Sequence, residues 1–232
     1  MARKGLASQG SQKWLQLLFK DHKPIIFREI AREMPHLDLN NLDQIEWLSP
    51  LEKDGYVEYS DSAFINQLRV ELKHKPLVDF WPNGGAVWDG LARTEEDDLL
   101  LFEAKSHIGE LKSFLKAEAK NSVKKISQSL TQAQEFLGVK SHIEWAAPFY
   151  QYTNRLAHLY FLRELNKLPA YLVFVYFLND PDMHGPYTKE EWQGALKLMK
   201  TLLGLSRHKL SKYMVDIFID VNEMQSRLKG KP

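Results

Sequence analysis

The sequence predicts an α/β fold, a central mixed β-sheet flanked by helices, with an N-terminal helical subdomain packed on it. Three observations carry this expectation. Residues 99–102 and 171–178 are apolar on both strand faces, the pattern of central strands covered from two sides. Residues 213–221 alternate Val215, Ile217 and Ile219 against Asp216, Phe218 and Asp220, as an edge strand with a half-solvated face does. Segments of helical period separate these runs.

Taken in order, residues 11–34 read as two helices around Pro24, one with Trp14, Leu15, Leu17 and Leu18 on its apolar face, the other with Phe27, Ile30, Ala31 and Met34. Residues 40–54 read as helical up to the break at Pro50. The stretch 48–59 has a short likeness to a winged-helix element, but Pro50 argues for a plain helical cap on the core. Ser60-Asp61-Ser62 offers N-caps for a helix over 62–74, and residues 77–81 read as a first strand closed by Pro82-Asn83-Gly84-Gly85. Ala86-Val87-Trp88 leads to Asp89, and short connections from there favour antiparallel neighbours. A long helix is expected over 109–137 and another over 145–167. Thr188-Lys189-Glu190-Glu191 is a capping box that opens a helix to about residue 203. Residues 1–59 thus form a helical region, 60–222 the core, and 223–232 a flexible basic tail.

The chemistry concentrates in Trp88-Asp89-Gly90 and Leu99-Leu100-Leu101-Phe102-Glu103-Ala104-Lys105. Side chains alternate along a strand, so Leu99, Leu101, Glu103 and Lys105 share a face. Two opposite charges at the end of a buried run cost several kcal/mol each unless they pair or bind a metal. A hairpin would bring Asp89 beside Glu103. Two carboxylates that close repel unless a cation lies between them, and their hard oxygens suit Mg²⁺ or Mn²⁺, with the Ala104 carbonyl as a third donor. Lys105 would then stand where a phosphate oxygen or an attacking water is held. A plain Asp/Glu/Lys salt-bridge cluster is the alternative, and spacing alone leaves both open.

Asp89…Glu103-Ala104-Lys105 resembles the active-site signature of the PD-(D/E)XK nuclease superfamily, with Trp88 where that family's name has proline. The resemblance covers about residues 60–222, its specific part 88–105. It implies a restriction-endonuclease-like core (a helix, three strands, a helix and a further strand) and a Mg²⁺- or Mn²⁺-dependent phosphodiesterase acting on nucleic acid, DNA in preference to RNA. Asp89 and Glu103 would be the metal ligands and Lys105 the catalytic partner. Glu58 is a further acidic candidate. Gln151, Asn154 and Arg155, at the start of the second long helix, resemble the polar residues that such proteins place near the metal.

Lys112, Lys116, Lys120 and Lys124 recur every four residues, which on a helix makes a basic stripe about 18 Å long, suited to a phosphate backbone or simply to solvent. Trp145, Phe149, Tyr150 and Tyr152, if exposed, fit a protein partner as well as DNA. That keeps a second reading, a non-catalytic nuclease-fold binding or assembly module, and a homodimer is left open.

Composition bounds the rest. The 232 residues are 44% hydrophobic and 26% charged, ordinary for one sizeable globular core. The absence of cysteine excludes a disulfide scaffold and Cys-based zinc sites, and agrees with a cytoplasmic location. The eight histidines lack paired metal-ligand spacing. Residues 1–10 lack a signal-peptide core and the run 170–178 is too short for a bilayer, so a soluble protein without membrane contact is expected. A net charge of +1 gives no global pull on polyanions, so any such binding must be local. No glycine-rich phosphate loop or Ser–His constellation supports a small-molecule enzyme.

Overall fold

The structure, a computed structural model, describes residues 5–229. Five strands form one mixed sheet in sequential order: β1 (Ile45–Ser49), β2 (Gly90–Thr94), β3 (Leu99–Lys105), β4 (Ala170–Leu178) and β5 (Met214–Asp220). The first three are antiparallel neighbours, whereas β3–β4 and β4–β5 are parallel. Parallel strands need long crossovers, supplied here by α5 (Lys120–Leu137) and α6 (Tyr150–Tyr160) before β4 and by α7 (Lys189–Leu202) before β5.

Alternation along β3 divides the interior in two. Leu99 and Leu101 join a layer with Leu130 of α5, Leu156 of α6 and Trp192 of α7. Leu100, Phe102 and Ala104 join the opposite layer, formed by α1 (Gly10–Asp21) and α2 (Lys23–Glu33) through Trp14, Phe19, Ile26 and Ile30. Gly90 permits this packing at the hairpin: a Cβ there would lie 3.0 Å from the Phe19 ring and 3.2 Å from the Phe102 Cβ.

Several expected elements change. Residues 40–54 are not a helix. Asn41 and Gln44 cap each other around a single 3₁₀ turn, after which Ile45 and Trp47 bury and Glu46 faces out, a period of two that makes β1. No winged-helix element forms there. The helix expected over 62–74 is α3 (Asp61–Gln67), which ends before Arg69 at φ 56°. Residues 77–81 are no strand: Pro76 starts the short turn α4 (Leu77–Phe80), closed by the Asp79 amide on the Pro76 carbonyl and the Trp81 amide on the Leu77 carbonyl. Ala86 to Trp88 lie outside the ladder, Trp88 making one bridge to Tyr59.

Residues 112–119 are also not helical. The amides of Ser113 and Leu115 donate to the carbonyls of Pro148 and Ala146, so this segment is extended and α5 starts only at Lys120. The same pairing delays α6 to Tyr150. Lys112 and Lys116 therefore share no helix with Lys120 and Lys124, and the basic stripe does not exist. Val221–Lys229 form a helix, α8, whose Val221 and Met224 pack in the second layer, and it runs into the expected tail from 223; residues 230–232 lie outside the described ones. Among the described residues no helix is long and apolar enough to cross a membrane.

Candidate active site

The β2–β3 hairpin places Gly90 opposite Phe102, which sets Asp89 just beyond the end of β2 and beside the last residues of β3. There its side chain takes the role of the missing rung: Asp89 Oδ2 accepts the Ala104 amide at 2.8 Å. A strand residue's N–H and C=O point to the same edge, so the Ala104 carbonyl is directed to Asp89's side as well. Glu103 and Lys105 point to the opposite layer from Ala104, and both are buried, at 1% and 7% exposure.

Helix α6 completes the group. Gln151, Asn154, Arg155 and His158 follow the i, i+3, i+4, i+7 spacing of one helix face. Arg155 Nε donates to Glu103 Oε2 at 2.6 Å, and its Nη2 donates to the Val87 carbonyl at 2.6 Å. Its guanidinium carbon lies 4.7 Å from the centre of the Trp88 ring. Trp88 is thus a cation–π bed for Arg155. Lys105 Nζ donates to Glu103 Oε1. Glu103 therefore faces a cation on each oxygen, and the four charged groups sum to zero when Asp89 is ionised.

The electrostatics follow from burial and partners. Burial pushes the Glu103 carboxyl up, but Arg155 and Lys105 outweigh it and hold it below the ordinary carboxylate range. Burial pulls the Lys105 ammonium down, and Glu103 with Asp89 reverses this to leave it raised. Asp89, partly buried, has its carboxyl pushed up to about 7, first by desolvation and then by the Glu103 charge. Burial draws His158 down to about 4, so its imidazole, with Nδ1 2.9 Å from the Asn154 carbonyl oxygen, is neutral near pH 7.

Asp89, Asn154 and Arg155 line a cleft of about 670 Å³, whose other wall includes Gly84, Gly85, Val87, Phe114 and Lys116. Gln151 lines this cleft and also a narrow hollow beyond it, bounded by Glu103, Lys105, Glu110 and Tyr176. That hollow, about 10 Å³, is at the lower limit for one water.

Among the described residues no three His, Cys, Asp or Glu side chains gather as a metal group. The hard donors at the site are two carboxylates and the Ala104 carbonyl. Mg²⁺ needs only one or two carboxylates because it retains waters and takes substrate oxygens, so this set fits such an ion, provided Glu103 exchanges an ion-pair partner for it.

The structure therefore brings together Asp89, Glu103, Lys105, Gln151, Asn154 and Arg155. Arg155 is engaged by Glu103 rather than free for substrate. Glu58 lies opposite Asp89 across the Tyr59–Trp88 bridge, its carboxylate bonded by Gln12. Lys116 lines the cleft and Lys112 stands exposed beside Phe114. Trp145 and Tyr152 are buried, and Phe149 and Tyr150 half-buried, so the expected exposed aromatic cluster is absent. Sequence reasoning missed Trp88 as a partner of Arg155, Phe114 in the cleft wall, and Glu110, which accepts from Ser11, Ser106 and the Ser106 amide. Only the Glu110 contact to Ser106 was short enough in sequence to be found.

The loop after β4 braces the site from behind. A Cβ on Gly185 would sit 2.2 Å from the carbonyl oxygen of Ser106, the residue following Lys105. Gly185→Ala is expected to cost about 1–3 kcal/mol through this clash. Thermal unfolding checks this, and an unchanged melting curve would show the approach to be looser. No family model, characterised protein or solved structure matches the chain.

Proposed function

We propose that the protein is a metal-dependent phosphodiesterase of the PD-(D/E)XK kind, with a restriction-endonuclease-like core, hydrolysing nucleic acid. One observation carries the reading: Asp89, Glu103 and Lys105 converge at the end of one hairpin, Asp89 lining the cleft with Arg155 and Asn154, and Glu103 and Lys105 recessed behind Arg155 beside the small hollow. The order of elements supports it. Helices α1 and α2, strands β1, β2 and β3, helices α5 and α6 and strand β4 run in the order the resemblance implies, with α3 and α4 inserted between β1 and β2 and with β1 lying before the 60–222 span.

Asp89 and Glu103, with the Ala104 carbonyl, would hold Mg²⁺ or Mn²⁺. Such an ion, when bound, polarises a phosphoryl oxygen and lowers the pKa of a bound water. Lys105 keeps a fixed positive charge beside the one-water hollow, and Arg155 neutralises Glu103 until a cation replaces it. DNA is preferred over RNA on the resemblance alone.

The test incubates plasmid, single-stranded DNA and RNA with Mg²⁺ or Mn²⁺. Metal-dependent cleavage is expected, falling about 10²–10³-fold or more in Glu103→Ala, Lys105→Ala and Asp89→Asn. The last keeps an acceptor for the Ala104 amide and so preserves the hairpin. Cleavage surviving both Glu103→Ala and Lys105→Ala would sink the assignment.

The closed charge network favours a second reading. A carboxylate already bonded by a lysine and an arginine needs no metal, as in a nuclease-fold module that binds or assembles without cleaving. Calorimetry separates the two, since wild-type protein that takes up no Mn²⁺ fits only the module.

A further inference from the structure

The two walls of the cleft are built differently. One is helix α6. The other combines the turn 82–87 with the extended segment 112–119, the latter fixed by the Ser113 and Leu115 amides. Along it Lys112, Phe114 and Lys116 are exposed while Ser113, Leu115 and Ala117 turn inward. Residues two apart on an extended chain are about 6.6 Å apart, the scale of one nucleotide in an unstacked strand. Phe114 is 48% exposed, and Lys112 Nζ lies 5.5 Å from the centre of its ring. A single exposed apolar side chain needs no explanation. This one lines a cleft and stands between two cations.

We propose that the cleft takes a single-stranded stretch of nucleic acid, with one base stacked on Phe114 and the flanking phosphates on Lys112 and Lys116. Three observations favour a single strand over a duplex. Glu103 and Lys105 are recessed behind Arg155, so a phosphate must be drawn into the cleft to approach them, and a stacked duplex resists such a local excursion. An aromatic ring beside basic side chains is a stacking platform with an electrostatic guide, and it accepts any base because every base has a π-face. Asn154, 5% exposed, lines the cleft, and its Oδ1 is buried without a hydrogen-bond partner, an acceptor suited to a nucleotide N–H or O–H. The lysine that caps the ring in the free protein is placed to move onto a phosphate.

The ligand class rests on the phosphodiesterase reading, but binding can be measured without cleavage. The experiment uses Asp89→Asn protein without divalent metal and follows the fluorescence anisotropy of a labelled oligothymidylate or of a duplex of equal length. The single strand is expected to bind roughly tenfold or more tighter than the duplex. Adding Phe114→Ala weakens single-strand binding roughly 5- to 100-fold, and Phe114→Trp restores it. Lys116→Gln lowers the slope of log affinity against log salt by about 0.7. Duplex binding as tight as single-strand binding overturns the proposal, as does single-strand binding indifferent to Phe114→Ala. Cleavage by the wild type together with either result retains the phosphodiesterase and removes the platform. Binding that depends on Phe114, with no cleavage by the wild type, does the reverse.

Discussion

Glu103→Gln is expected to lower the free energy of unfolding by about 3–5 kcal/mol, because it removes the anion that bonds both buried cations directly. Arg155 and Lys105 are both nearly inaccessible, and each directs a donor at a different Glu103 oxygen. Glutamine can accept from only one of them, and it brings an amide that has no acceptor there. For a chain of this length the loss corresponds to a drop in melting temperature on the order of 10 °C. Lys105→Met should cost less, since Glu103 keeps Arg155. Urea unfolding of the three proteins tests the order. Equal midpoints would mean that water already screens the group and that the ion pairs contribute little.

The second large effect is a pH dependence carried by Asp89. Its carboxyl is pushed up to about 7 in the folded protein, against about 3.9 in an unfolded chain. Below pH 4 both states hold the proton and the site is neutral toward folding. Between pH 4 and 7 the unfolded chain has released the proton and the folded one has not, so stability falls as pH rises, and it levels off above 7. Asp89→Asn cannot ionise and still accepts the Ala104 amide. At pH 8 it should be more stable than the wild type by only about 1–3 kcal/mol, because solvent at the partly exposed Asp89 screens part of the cost of its charge. Near pH 4 the two should coincide. His158 and His208, both drawn down to about 4 by burial, act in the opposite sense over much of this range. The difference between the two proteins isolates Asp89. A constant difference from pH 4 to 8 would assign the slope to other groups. The variant that stabilises the fold is also the one expected to lose cleavage, as when a strained site is retained for function.

Much of this arrangement was legible in the sequence because it is local. The doubly apolar runs at 99–102 and 171–178, the alternation at 215–219 and most of the apolar face of the first N-terminal helix keep their periods in the fold, whereas the second helix buries Ile25, Ile26 and Ile30 and leaves Phe27 and Ala31 half-buried. The Asp89–Glu103 neighbourhood was legible because a hairpin pairs residues close in sequence. What failed was non-local. The lysine interval of four looked helical until 113–115 paired with 146–148, a contact that no window along the chain contains. Residues 45–49 and 77–81 are short apolar runs of ambiguous period, and only the finished sheet decides which one occupies its edge. The Arg155–Glu103 pair spans 52 positions, so the sequence placed Arg155 near the site without revealing that it closes it.

The burial of β3 on both faces has one more consequence. Sliding this strand by a single residue against β4 would exchange its faces. Glu103 and Lys105 would enter the apolar layer of Phe19 and Trp14, away from Arg155, and Phe102 and Ala104 would face Arg155. Leucines at 99 to 101 would tolerate that slip almost unchanged, since leucine is apolar on either side. The charged pair would not, because two ions would lose a partner in an apolar layer. In a strand otherwise blind to its own alignment, the carboxylate and the ammonium are what set the register.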